Sequence, residues 1–293
     1  MNLAVTVLEI VAPVFLLAGI GFVWVKFGLE YRIEFVTRLV MSLALPALIF
    51  VSLMQTKVDP AALTALSFAT LVAYALITLG AYVLVRVMDL ETRTFLTPTI
   101  FGNTGNLGLP LAFFAFGQEG LSYAIVVFAL MSMWFFTFGI WIFSGGGSVI
   151  KVVKEPLVGA TLLGALFLWQ GWETPEFLTN TLSLLGQMVI PIMLITLGVA
   201  VARLTPGGVV QAVWLSILRL VVCASIAWAV GVWFELDKVA FGILVLQAAT
   251  PVAVTSYLLA EKYGGDADAV AGLVVVSTLI SVGTLPLLLA LLL

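Results

Sequence analysis

Apolar runs, each close to the length that crosses a bilayer and separated by short connections, follow one another along all 293 residues of this chain. A hydrocarbon core about 30 Å thick takes a helix of about 20 such residues. About ten spans therefore use most of the chain and leave no soluble domain. Composition agrees, with 63% of residues hydrophobic and 9% charged, against about 25% charged in a soluble domain. Leu, Val, Ala and Ile recur without strict alternation, which favours helices over barrel strands. Spans are expected at roughly 3–25, 35–54, 61–85, 92–115, 120–144, 154–170, 177–201, 209–234, 238–261 and 268–293. The first run lacks the charged leader and small-residue cleavage site of a signal peptide, so it reads as an uncleaved first helix.

Several function classes fall away at once. The chain has 12 Lys+Arg, 15 Asp+Glu and a formal charge of -3, and its charges sit in short clusters between apolar runs. That is no basic face for nucleic acid. A single cysteine, Cys223, excludes an internal disulfide, and the absence of histidine excludes a His-based metal site, a His proton relay and a Ser-His-Asp triad. No HExxH or aspartate-rich motif appears, and no lysine lies inside a span. The chain is expected not to be an enzyme and to need no cofactor. Its partners are then the bilayer and a small solute, with apolar outer faces on spans two and seven suited to a homodimer.

Loop charges orient the spans. The odd-numbered connections hold Lys26, Arg32, Arg86, Arg93, Lys151, Lys154, Arg203 and Lys262, whereas the even-numbered ones hold only Lys57 and Lys238. The positive-inside rule puts the odd connections in the cytoplasm and both termini outside. Arg38, at the cytoplasmic edge of span two, can snorkel.

At an offset of 145 residues, Gly19 falls on Gly164, Trp24 on Trp169, Pro46 on Pro191 and Gly120 on Gly265. The unit is five spans long, with residues 1–150 as the first copy and 151–293 as the second. Because five is odd, the second copy enters the membrane from the opposite face. An inverted repeat of that kind is a transporter signature. The alternative is chance spacing in a low-diversity composition.

Span four contains Gly102-Asn103-Thr104-Gly105-Asn106-Leu107-Gly108-Leu109-Pro110. Glycine costs about 1 kcal/mol relative to Ala in a helix, and proline lacks an N-H and clashes with the preceding turn. A broken helix is expected there, with Gly105, Gly108 and Pro110 as crossover positions. Irregular backbone at membrane depth is tolerated against protein or a wet cavity. Asn103 and Asn106 can cap its freed groups and hold a ligand, or serve as hydrogen-bond glue between helices. Span nine has a matching interruption, Gln247-Ala248-Ala249-Thr250-Pro251-Val252-Ala253-Val254-Thr255-Ser256, with Pro251 at its crossover. Two half-helix N-termini then face a common point, where partial positive charge suits an anion; the opposing C-termini suit a cation. Thr104, Gln247, Thr250, Thr255 and Ser256 join the asparagines as candidate ligands.

Arg219 lies about ten residues into span eight and is the one deep basic residue. An intramembrane charge is a functional-site hypothesis by default, at about 2.5 to 3.5 kcal/mol on insertion scales. It either faces the substrate or braces backbone carbonyls of a broken helix. No acidic residue lies as deep; Glu9 is about two turns in, and Glu119, Glu235, Glu261 and Asp268 sit at span ends. Positive potential without a buried acid favours an anionic substrate.

These residues resemble the auxin efflux carrier family, which includes plant PIN carriers and bacterial carriers of malate- or malonate-like acids. The likeness covers essentially the whole chain. Its specific part is Asn103-Thr104-x-x-x-Gly108-x-Pro110-Leu111 in span four, with Gln247-Ala248-Ala249-x-Pro251 and Ala260-Glu261-Lys262-Tyr263 in span nine. The resemblance implies an all-α membrane protein of ten transmembrane helices, arranged as two inverted five-helix repeats with broken, crossing helices four and nine, akin to the NhaA antiporter and the bile-acid symporters. It further implies a scaffold of helices 1, 2, 6 and 7, a moving domain of helices 3–5 and 8–10, and Asn103 on the substrate carboxylate. The chain departs from the plant carriers at Gly102 and Ser256, where they have proline, and in the short Ser144-Gly145-Gly146-Gly147-Ser148 stretch that replaces their large loop.

The expectation is a secondary carrier exporting small organic anions from the cell by an elevator-type movement. A potential of about 100 mV, negative inside, drives a monovalent anion outward by about 2.3 kcal/mol without a coupling ion. The alternatives are a proton- or sodium-coupled importer using Glu9, and a channel with a static glycine filter.

Overall fold

A computed structural model describes residues 3–56, 58–139, 142, 156–204 and 207–293. The Ser144–Ser148 stretch and the loop lysines Lys57, Lys151 and Lys154 lie outside the described residues. The chain is helical throughout, as α1 (Leu3–Lys26), α2 (Ile33–Leu39), α3 (Leu45–Met54), α4 (Pro60–Val87), α5 (Thr92–Ile100), α6 (Leu109–Trp134), α7 (Pro156–Gln170), α8 (Glu176–Gln187), α9 (Val189–Arg203), α10 (Val209–Trp233), α11 (Lys238–Ala248), α12 (Val254–Tyr263) and α13 (Ala267–Leu292). Among the described residues, 7 continuous helical runs are long and apolar enough to cross a membrane, and α7 and α11 are shorter apolar helices.

The difference from the expected spans has local causes. Span two is α2 and α3 joined by a π-helical turn, Val40–Ala44, placed just before Pro46. Such a turn absorbs the missing N-H and the steric bulk of a proline. Span seven is likewise interrupted at Met188, just before Pro191. Spans four and nine are each divided between two helices. The run Thr104–Gly139 passes through Gly117, whose φ of 64° and ψ of -152° are non-helical, so one helical segment ends and the next begins there.

Helices approach closely where glycine removes a side chain, the usual means of packing where lipid gives no hydrophobic drive. A Cβ on Gly21 would meet the carbonyl oxygen of Ile195, and one on Gly198 would meet that of Ala18, so α1 and α9 touch backbone to backbone. Gly164 lies against Leu53 and Gly186 against Leu48, which brings α7 and α8 onto α3. Gly80 packs on Val222 and Ile226 of α10, Gly231 on Phe241 of α11, and Gly242 on Phe116.

Long-range side-chain hydrogen bonds sort the same way. Tyr31 with Thr196, and Arg203 to the Tyr31 carbonyl, tie α9 to the segment between α1 and α2. A second set links Trp134 to Thr78, Tyr123 to Asp237, Cys223 to the Thr99 carbonyl and Lys238 to the Leu293 carbonyl. None of these bonds joins α1, α2, α3, α7, α8 or α9 to the other helices. Large apolar side chains such as Leu16, Phe68, Leu79 and Trp214 are exposed, as befits surfaces covered by lipid.

Gly198→Ala is expected to lower the thermal midpoint of the purified protein in detergent, because overpacking costs about 1–3 kcal/mol. Gly19→Ala, whose Cβ meets nothing within 4 Å, is expected to leave it unchanged or raise it. Equal midpoints for the two variants would show that α1 and α9 are not in backbone contact.

Candidate functional site

Two helices break at the same place and mend each other. α5 ends at Phe101, which is extended with φ -93° and ψ 118°, and α11 gives way after Ala249. Between them Gly102 and Val252 form an isolated antiparallel β-bridge. The Asn103 N-H donates to the Pro251 carbonyl at 2.6 Å, and the Ala253 N-H donates to the Phe101 carbonyl at 3.2 Å. The Val252 N-H is taken by the Ser277 hydroxyl at 3.0 Å. Three N-H groups and two carbonyls released by the breaks are thus paired within the protein, as a medium without water demands.

The break in span four lies upstream of its expected position. Helical bonding restarts at Thr104 as a π-helical turn, Thr104–Gly108, and runs on into α6. Gly105 and Gly108 belong to this turn, and Pro110 is the second residue of α6. The turn's N-H groups reach back five residues, Gly108 to the Asn103 carbonyl at 3.1 Å, so the helix passes Pro110 without a break. The glycines act as spacers instead. A Cβ on Gly108 would strike the Gln247 carboxamide, and one on Gly105 would meet Phe128 at 3.0 Å and the Met193 methyl at 3.2 Å. Pro251 does lie in the crossing.

A cavity of about 80 Å³ sits against the bridge. Asn103, Thr104, Gly105 and Asn106 line it from one half-helix, and Ala253, Val254 and Thr255 from the other. These are the first turns of two helical segments, and neither has a side-chain cap. Asn103 is 5% exposed and its Nδ2 has no partner, and the Oγ1 of the fully buried Thr104 has none either. The rest of the wall is Phe101, Phe128, Met131, Phe135, Met41 and Met193, with Ser132. Sequence reasoning missed these apolar residues, because nothing distinguishes them from core positions before the chain is folded. A second small cavity shares Met41, Asn106, Met193, Val254 and Thr255 with the first and extends to Ile33, Thr37 and Leu258. Thr255 is exposed, and Ile33 and Ala200 in the wall of the second cavity lie close in sequence to Arg32 and Arg203.

Gln247, Thr250, Ser256 and Arg219 do not line either cavity. Thr250 turns its hydroxyl back to the Gln247 carbonyl at 2.7 Å. The carboxamide of Gln247 and the hydroxyl of Ser256 are buried without partners. Arg219, 2% exposed, donates from Nη1 to the Thr250 carbonyl at 2.7 Å. A cation there also opposes the negative end of α11. Of the two roles open to Arg219 from sequence, the brace on a broken helix is the one with a direct contact. Glu9 is exposed on α1 and lines neither cavity.

Comparison with known proteins gives the family. The model of the membrane transport protein family matches residues 6–152 and again 146–289. An uncharacterized transporter of Methanothermobacter thermautotrophicus is 29% identical over 294 aligned residues, covering 95% of this chain and 96% of the relative. Another from Methanocaldococcus jannaschii is 24% identical over 293, covering 94% and 95%. With a match across nearly its whole length, the chain belongs to the membrane transport protein family, that of the auxin efflux carriers, and is a membrane transporter, not an enzyme.

Proposed function

We propose that this transporter is a secondary carrier that exports small organic anions, carboxylates in particular, by alternating access. The observation that carries the proposal is the pair of uncapped first helical turns meeting at one cavity with the unpartnered Asn103 amide. Partial positive charge and free N-H donors bind carboxylates. No acidic residue is part of either cavity wall, which supports uniport driven by membrane potential over a proton- or sodium-coupled symport.

The ligand-binding set is Asn103, Thr104, Asn106 and Thr255. Gln247, Thr250, Ser256 and Arg219 hold the crossing behind it, and Pro251 keeps span nine open. The elevator reading draws support from the partition of backbone contacts and hydrogen bonds described above. The scaffold is α1, α2, α3, α7, α8 and α9; the moving domain is α4, α5, α6, α10, α11, α12 and α13. Their common boundary at the cavity is made of side chains such as Met41, Met193 and Phe128. Two inverted repeats, 1–150 and 151–293, account for the matching interruptions before Pro46 and Pro191. In this reading the protein lies in the cell membrane with both termini outside, its cavity opens to the cytoplasm, and the scaffold's outer face is available for a homodimer.

A thermal-shift and solid-supported-membrane screen of the purified protein against mono- and dicarboxylates is expected to find acids that stabilise it and evoke currents. Stabilisation by organic cations and by no acid would overturn the proposal.

Asn103→Ala removes one ligand amide from a segment that is already non-helical. A hydrogen bond to a charged group contributes about 1.5–3 kcal/mol, so affinity is expected to fall roughly 10- to 150-fold without loss of folding. Unchanged affinity in the folded variant would remove Asn103 from the site.

Pro251→Ala returns an N-H beside Ala248, Ala249 and Ala253, all strong helix formers. It is expected to let α11 extend, undo the bridge and abolish binding. Pro110→Ala, in a helix that already runs through the position, is expected to bind nearly as wild type. The reverse order would mean that Pro251 does not hold the crossing open.

A further inference from the structure

The guanidinium of Arg219 is a buried cation that no carboxylate among the described residues neutralises. One N-H goes to the Thr250 carbonyl, while Nε and Nη2 have no partner. Among the described residues, no carboxylate lies within ion-pair distance of Arg219. A helix C-terminus supplies about half a negative charge at most. The other charged residues of α4, α5, α6, α10, α11, α12 and α13 lie at helix ends or chain reversals, such as Arg86, Glu119, Asp237 and Glu261, outside the region where the membrane potential falls most steeply.

Gly102 belongs both to the cavity wall and to the surroundings of this charge. Gly102 lines the cavity, and a Cβ on it would lie 3.0 Å from Arg219 Nη2 and collide with Thr250 Oγ1. No side chain at position 102 therefore screens the guanidinium from whatever occupies the site. In a low-dielectric interior a guanidinium behind that backbone acts on an anion in the cavity through its field.

We propose that Arg219 places an uncompensated positive charge in the buried interior of the empty moving domain and that the bound carboxylate is its counter-ion. This rests on the carboxylate-carrier reading above and adds to it which half of the cycle the voltage drives. Loaded with a monocarboxylate, the domain is close to neutral at the crossing and moves without electrical work. Empty, it carries about one positive charge at the crossing, and a membrane negative inside draws that charge back toward the cytoplasmic side. Each cycle still moves one negative charge outward, but the potential acts on the return of the empty carrier. One charge crossing the whole of 100 mV would shift the inward-outward equilibrium of the empty form roughly 40-fold; a partial crossing gives proportionally less.

The test is a voltage-step experiment on substrate-free protein reconstituted in a planar membrane. Wild type and Arg219→Lys are expected to show transient charge movements, and Arg219→Gln to show none. Saturating monocarboxylate, taken as the tightest binder among acetate, lactate, pyruvate and benzoate, is expected to suppress the wild-type transient. No transient in wild type, or one unchanged in Arg219→Gln, overturns the charge assignment. A transient undiminished by a bound monocarboxylate overturns the counter-ion role, and this arm needs no variant to fold. The two readings fail separately: if no acid binds while the substrate-free transient still depends on Arg219, the carboxylate reading falls and the charge assignment stands.

Discussion

Two backbone hydrogen bonds and one side-chain hydroxyl resolve the hardest problem this chain sets itself. Extended backbone inside a bilayer leaves N-H and C=O groups with no water to meet them, at several kcal/mol for each group left unpaired. Phe101 and Asn103 meet Pro251 and Ala253, and Ser277 meets Val252. Neither break is tenable without the other. The remaining details at the crossing serve this exchange: Gly102 lets the strands approach, Arg219 holds the Thr250 carbonyl, and Gly108 makes room for Gln247.

Packing elsewhere follows a second rule, set by the absence of a hydrophobic drive in lipid. Glycines create the tightest contacts, and those on Gly21, Gly198, Gly164 and Gly186 stay on one side of the molecule, whereas those on Gly80, Gly231 and Gly242 stay on the other. Directional bonds and backbone contacts resist sliding. Methionine and phenylalanine ends do so far less, because the thioether is flexible and its contacts are non-directional. Stiffness is thus concentrated within each group of helices and compliance at the boundary beside the cavity.

Much of this was legible in the sequence for a physical reason. Membrane helices announce themselves by length and charge exclusion, so a helical membrane protein and the two interrupted stretches around Asn103 and Pro251 could be read directly. Asn103, Thr104, Asn106 and Thr255 came out on the cavity because polar groups at that depth have few other uses. The register of the crossing was not legible. Proline and glycine mark a break without saying which residues will be extended, and the π-helical turn at Thr104–Gly108 carried the helix past Pro110. Gln247, Thr250 and Ser256 lie behind the crossing because rotation about a broken helix cannot be inferred from a period that the break itself interrupts. The apolar cavity wall was equally hidden, since Phe128, Met131 and Met193 look like any core residue until the fold brings them together.

The polar half of the cavity is made mostly from backbone and short side chains locked into the crossing, while the apolar half, Phe101 apart, is made from side chains such as Phe128, Met131 and Met193 that take no part in the crossing. In the proposed carrier, changes at Phe128, Met131, Phe135 or Met193 would reshape the room around a ligand's tail without disturbing the groups proposed to hold its head. Such a protein can exchange one cargo for another through a handful of ordinary hydrophobic substitutions. Selection on cargo and selection on folding then act on largely different residues.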